Sequence, residues 1–173
     1  MLYSFEGKEP AIGKGSYVSE SAVVIGDVHI GYRCFIAPGA VLRGDYGSIR
    51  IDDGTAVEDN VVIHARPGES TIIGKRVTIG HGAIIHTPTI EDNAVIGMGA
   101  IVSDFAHVGE WAAIGEGAVV RNRQEIPAES IAVGVPAEII GKVNEAYKEQ
   151  WSRFKDIYEK LASERYPKGL KRV

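Results

Sequence analysis

Residues 90–120 read IEDNAVIGMGAIVSDFAHVGEWAAIGEGAVV, and the pattern in this stretch recurs every six residues. An aliphatic side chain opens each hexad, at Ile90, Ile96, Val102, Val108, Ile114 and Val120. Four residues after the first five of these stands an alanine: Ala94, Ala100, Ala106, Ala112 and Ala118. A period of six is neither the 3.6 of a helix nor the 2 of a long strand. It is long enough for a short strand and a corner, and internal repeats of this kind decide a fold before any local propensity does.

The pattern extends outward in both directions. Towards the N-terminus it runs through Ile85, Ile79 and Ile73, then Ile63, Val57 and Ile51, then Leu42, Ile36, Ile30, Val24, Val18 and Ile12. Towards the C-terminus it continues to Ile126 and Ala132. One hexad cannot bury its apolar side alone, but stacked coils bury it along a continuous core. The spacing therefore predicts an all-β solenoid of parallel strands over residues 1–140, about seven triangular coils, with the remainder, 141–173, as an appendage. A βαβ reading needs helical periods between the strands, and none occurs before residue 140.

The appendage has its own period. Tyr147, Trp151, Phe154, Tyr158 and Leu161 fall at three- and four-residue steps, while Lys148, Glu149, Arg153, Lys155, Asp156, Glu159 and Lys160 fill the other positions. This predicts an amphipathic helix from Asn144 to about Ser163, lying along the solenoid with its aromatic side inward, and Pro167 and Gly169 mark its far side.

Composition narrows the function. A net charge of −4 with no basic cluster argues against nucleic acid as a partner. The polar start, Met1 to Pro10, has no apolar signal core, and no apolar run suits a bilayer. The expectation is a cytoplasmic protein without a membrane partner. Cys34, the single cysteine, has no disulfide partner and falls at a small inward position, where a buried thiol is expected.

The register converts the histidines into geometry. With three hexads per coil, hexads three apart lie one above another at about 4.8 Å. The register breaks three times, with residues added between Leu42 and Ile51 and between Ile63 and Ile73, and one lost between Ile85 and Ile90. Counting across these breaks stacks Leu42, Ile63 and Ile85 on one face and Val57 and Ile79 on another. Side chains alternate along a strand, so Arg43, His64 and His86 form an outward ladder on the first face. Asp59 and His81 stack on the second. His64 and His86 are close enough to share a metal, and His81 starts from a different face. Around a threefold axis, however, His81 of one chain can meet His64 and His86 of the next. Three histidines with an open fourth position is the catalytic arrangement for zinc. His29 and His107 lie at corners and read as surface residues.

With these residues in place, the chain resembles the γ-class carbonic anhydrases. The resemblance rests on Leu42-Arg43-Gly44-Asp45, on Glu58-Asp59 with His64 five residues after Asp59, on His81 with His86 five residues later, on Gly134-Val135-Pro136-Ala137, and on the aromatic tail helix. It covers nearly the whole chain. It implies a left-handed β-helix, a homotrimer, and one zinc (or iron, or cobalt) at each subunit interface held by His64, His81 and His86. The implied activity is the reversible hydration of carbon dioxide, because zinc lowers the pKa of a bound water to about 7. The resemblance also gives Arg43 and Asp45 as an interface ion pair, Asp59 as a carboxylate orienting a ligand or the bound water, and Tyr158 as a tyrosine near the site. For Arg43, Asp45 and Asp59 a purely structural network is equally compatible, as is core packing for Tyr158.

Two departures bear on the chemistry. Ala56-Val57-Glu58-Asp59 stands where the family has Asn-x-Gln-Asp, so an amide is replaced by Glu58, which can act as a general base. The prototype's acidic loop is missing, and Glu69 is the only acid in the short insertion after His64. Arg43-Gly44-Asp45-Tyr46-Gly47 also resembles the hexapeptide proteins of phenylacetate and carnitine operons, which makes acyl-CoA thioester hydrolysis an alternative on the same metal site. An acyltransferase and a non-catalytic trimeric metal-binding subunit are further alternatives.

Overall fold

The computed structural model describes residues 1–173. The chain winds into a left-handed parallel β-helix of about seven coils, closed by one C-terminal helix. Two runs of strands build one sheet that bends around a corner. The first face holds Val23–Ile25, Val41–Arg43, Val62–His64, Ile84–His86, Ile101–Val102 and Val119–Val120, each paired in parallel with the next. The third face continues through Ser48–Ile51, Ser70–Ile73, Thr89–Ile90, His107–Val108 and Glu125–Ile126. The second face is a separate sheet of Tyr17–Val18, Phe35–Ile36, Ala56–Val57, Thr78–Ile79, Val95–Ile96, Ala113–Ile114 and Ser130–Val133. A last strand, Glu138–Lys142, turns back and runs antiparallel along Ser130–Val133.

The two residue ladders of the hexad make the interior. Leu42, Ile63, Ile85 and Val102 stack in register on the first face, and Val57, Ile79, Ile96 and Ile114 on the second. The small ladder of Ala83, Ala94, Ala100, Ala106, Ala112 and Ala118 is equally buried. Cys34 lies in the same core, where burial pushes its thiol up to about 11. The corners need a sharp change of direction, supplied by a residue with left-handed backbone at Arg33, Asn60, Arg76, Asn93, Phe105, Trp111, Arg123 and Glu129. Coil spacing is also tight. A Cβ on Gly13 would lie 2.3 Å from the carbonyl oxygen of Gly31 on the next coil, so only glycine fits there.

The register breaks are absorbed at corners. The residues added after Leu42 extend the strand Val41–Ile51 around the bend between two faces. Those added after Ile63 form a turn in which Glu69 N–H donates to Arg66 O. The lost residue after Ile85 is accommodated by Thr87, in left-handed conformation, with its hydroxyl accepting from Arg66 N–H.

Ile73 belongs to this core on the third face and is fully buried. Ile73→Ala is expected to lower unfolding stability by about 2–5 kcal/mol through lost contacts and a residual cavity, measured by urea denaturation.

The tail differs from its sequence reading in two respects. The helix runs over Glu145–Lys160, capped by the Asn144 side chain on Tyr147 N–H, then passes through a widened π-turn at Leu161–Arg165 into a final turn ending at Gly169. The helical path thus extends past Ser163, and Pro167 is tolerated because it sits in a first turn where its missing N–H is not needed. The buried face is also rotated. Tyr147, Trp151, Tyr158 and Leu161 are partly buried, but Phe154 is 42% exposed and Lys155, placed by pattern on the polar side, is 1% exposed. Lys155 lies four residues after Trp151 and three before Tyr158, so the 3.6-residue turn carries it into the solenoid with them. The tail returns to the first coils, where the Tyr166 ring centroid lies 4.9 Å from that of Tyr17 and 5.1 Å from that of Phe35.

Candidate metal centre

Adjacent coils on the first face place Arg43, His64 and His86 directly above one another. Each histidine follows an inward isoleucine, Ile63 or Ile85, that fixes its strand in the core. The backbone beyond them is pinned as well. Thr71 Oγ1–H donates to His64 O at 2.6 Å, and Thr71 Oγ1 accepts from Thr87 N–H at 3.0 Å.

Asp45 lies between Arg43 and His64. Its Oδ2 takes the Arg43 guanidinium, its Oδ1 accepts from His64 Nε2 at 3.0 Å, and Tyr46 N–H donates to it at 2.8 Å. Burial would raise this carboxyl, but the hydrogen bonds from Arg43, His64 and Tyr46 outweigh it and hold it at about 2. His86 has a matching partner that the sequence reading missed. Asp104 Oδ1 accepts from His86 Nδ1 at 2.5 Å, while its Oδ2 meets Arg66 Nε at 3.1 Å. Burial again opposes ionisation, and His86, Thr87 and Arg66 together lower the carboxyl below its ordinary value. Asp104 is two residues past Val102, which stacks on Ile85. The signal that could have found it was one more step of the same register count.

These carboxylates can only accept, so they fix the histidine tautomers. In the neutral rings this leaves the proton on His64 Nε2 and on His86 Nδ1. The other nitrogens, His64 Nδ1 and His86 Nε2, face each other at 3.1 Å. A single shared proton or a shared metal cation can bridge them. The spacing fits a metal. Two nitrogens at 2.0–2.1 Å from a tetrahedral zinc lie about 3.3 Å apart.

His81 lies on the second face, above Asp59, and is 48% exposed. Its Nδ1 is 2.8 Å from Asp59 Oδ2 and its Nε2 is 3.0 Å from Glu58 Oε2. Glu58 is nearly buried, accepts from His81 N–H at 3.2 Å, and lies near the Tyr158 hydroxyl on the tail helix. Burial, reinforced by Glu58, pushes the Tyr158 hydroxyl well above its usual range, so it remains a donor. The structure therefore brings together two groups, Arg43–Asp45–His64–His86–Asp104 and Asp59–His81–Glu58–Tyr158, on different faces. No single chain gathers three side chains that could hold one metal.

Two surfaces flank these groups. Beside His64 and His86 an outward apolar ladder, Val41, Val62, Ile84, Ile101 and Val119, climbs the first face in register, with Val62 41% and Ile84 43% exposed. Beside Glu58 and His81 a groove runs along the second face past Met98 and Ile114 to Tyr147 and Trp151. His29 and His107, expected at corners, lie instead in the strands Val23–Ile30 and His107–Val108, and His107 bridges Glu91, at 2.9 Å, and Glu125, at 2.8 Å. No helix is long and apolar enough to cross a membrane.

Comparison with known proteins gives the chain relatives. Residues 87–122 match the family described as bacterial transferase hexapeptide (six repeats). The chain is 40% identical over 144 residues to gamma carbonic anhydrase 1, mitochondrial, of Arabidopsis thaliana, covering 80% of this chain and 52% of the plant protein, so it spans about half of that relative's length. It is 34% identical over 152 residues to the carnitine operon protein CaiE of Proteus, covering 88% of this chain and 77% of CaiE. A crystal structure of a Bacillus cereus protein described as a candidate acetyltransferase superposes with a TM-score of 0.93 at 32% identity, over 99% of this chain and 98% of the other.

Proposed function

We propose a function from the premise that this chain belongs to the hexapeptide-repeat family of the γ carbonic anhydrases and the CaiE proteins. Three copies pack side by side about a threefold axis, and His64 and His86 of one chain with His81 of the next hold one zinc. The activity is the reversible hydration of carbon dioxide to bicarbonate. The observation that carries this reading is the pair of histidine nitrogens facing each other at 3.1 Å, each ring backed by a carboxylate on its far side.

A zinc ion bound there supplies a nucleophile at neutral pH by lowering the pKa of its water to about 7. The chain's own residues do the rest. Asp45 and Asp104 orient His64 and His86 and make them better donors, as carboxylates behind ligand histidines do. Arg43 fixes the other oxygen of Asp45. Asp59 holds His81 Nδ1, which directs Nε2 to Glu58. Glu58, beside that Nε2 and near Tyr158, is the group placed to take the proton that hydration releases. The exposed apolar ladder of Val62 and Ile84, continuous with the two histidines, supplies a surface for the neighbouring chain.

A second reading has its own support. The groove from Glu58 and His81 past Met98 to Trp151 has apolar walls that suit an acyl chain, and the CaiE match covers more of its partner than the plant match does. On that reading the same site hydrolyses an acyl thioester. One zinc-replete preparation assayed for carbon dioxide hydration and against a panel of acyl-CoA thioesters separates the two. Hydration lost in Glu58→Ala, with zinc retained, is the expected result. Thioester cleavage without hydration replaces the first reading with the second, and neither activity in a zinc-loaded trimer leaves a non-catalytic metal subunit.

A further inference from the structure

Lys155 is the largest fully buried side chain in the protein, 1% exposed, and it has no carboxylate partner. Its ammonium nitrogen has two acceptors, Thr78 Oγ1 at 3.2 Å, at the long end of the ordinary range, and Ala94 O at 3.4 Å, beyond it. Three N–H donors would need three partners. The other neighbours are indoles, which attract a cation through their faces but accept no full hydrogen bond: the nitrogen lies 6.0 Å from the Trp111 ring centroid and 5.7 Å from that of Trp151, at the outer limit of that attraction. Nearby charges are already committed elsewhere. Arg76 of the solenoid closes on Asp156 and Glu159 of the helix, and Glu58 on His81. Arg76 is the charge that bears on Lys155, and it repels a protonated amine.

We propose that Lys155 is a positioning residue whose protonation sets how firmly the C-terminal helix seats on the solenoid: uncharged, it fits between the two indoles, and charged, it loosens the seat. Tyr158 follows one turn later on the same helix, so the seat also decides whether Glu58 keeps its hydroxyl neighbour. That last consequence rests on the role given to Glu58 above; the seat itself does not.

Desolvation, aided by Arg76, pushes the Lys155 amine from 10.5 down to about 7 in the seated helix. The folded value is depressed, so the undocked helix binds the extra proton. Docking is fully favoured above the free value and weakens as pH falls towards 7, by roughly tenfold per pH unit across that window. Below about 7 the seated form is protonated as well, and the dependence levels off.

The protein holds two tryptophans, and both flank this amine, so intrinsic fluorescence reports on it directly. Wild-type protein titrated from about pH 6 to 9 is expected to show a fluorescence transition, and amide exchange over 145–160, corrected for intrinsic chemistry, should slow as pH rises. In Lys155→Met, which keeps the volume and removes the charge, both dependences should vanish, as should any pH-linked change in Glu58-dependent activity. Side-chain ¹⁵N-lysine NMR on the wild type gives an independent reading that needs no variant. A Lys155 amine titrating above about pH 9, or a fluorescence transition retained in Lys155→Met, overturns the proposal. Loss of hydration chemistry with the titration intact would instead fault the proposed activity.

Discussion

His64→Ala is expected to strip the protein of its metal while leaving the solenoid folded. His64 is buttressed from both sides, by Asp45 on Nε2 and by His86 across the facing pair. Removing it deletes a ligand, not a partner of a ligand. Loss of an outer carboxylate alone costs about 10–100-fold in metal affinity, so the loss here should exceed about 100-fold, taking bound zinc from about one per chain to none detectable. Asp45→Asn is the graded companion, with a 10–100-fold loss. The ionisation of Asp45 is not the weak point in mild acid. Its folded-state value is depressed to about 2, so the stability it contributes is present above its ordinary value and declines only as pH falls towards 2. Elemental analysis and metal titration of both variants, with circular dichroism to show the coils intact, check the expectation. Full zinc occupancy in His64→Ala would remove the site as drawn.

Ile84→Asp is expected to dissociate the assembly and to release metal with it, although no ligand is altered. Ile84 is 43% exposed in the isolated chain and sits in the apolar ladder beside His64 and His86. In the proposed trimer that ladder is covered, and an unpaired carboxylate there costs about 3–5 kcal/mol at each interface. At 1.4 kcal/mol per tenfold this is a loss of about 100- to 1,000-fold or more in association. With His81 supplied by a second chain, as proposed, metal affinity and trimer content should fall along one curve as the protein is diluted. Mass measurement in solution and zinc content on the same samples test this. A monomer that retains its zinc at full affinity would take His81 out of the ligand set.

The sequence carried the fold because a six-residue period has few physical solutions, and it repeats often enough for each hexad to check the next. It carried the vertical alignment of Arg43, His64 and His86 for the same reason. Each follows an inward aliphatic residue, and the coils observed in register are those obtained by counting hexads across the breaks. Asp104 was missed because it becomes visible only when the first-face register is carried one coil beyond Ile85, to Val102. Lys155 was misplaced because charge stands in for exposure in any amphipathic reading, and here the helix phase carried a cation inward. The extension of the tail helix to Gly169 depends on a widened turn, which has no compositional mark.

The reversed strand Glu138–Lys142 limits what the protein can become. A stack of parallel coils has two open ends, each a row of unsatisfied backbone groups able to template another chain end-on. On the second face the last coil is covered by this antiparallel strand, ending in Gly141 and Lys142. Growth along the axis into a filament is thereby discouraged at that end. The apolar surface still available for self-association lies on the sides of the prism, and on the first face it borders His64 and His86. Lateral association closes into a ring after a few copies, whereas axial association has no natural end. The reversed strand therefore favours a finite particle and directs its contacts to the face that carries the histidines.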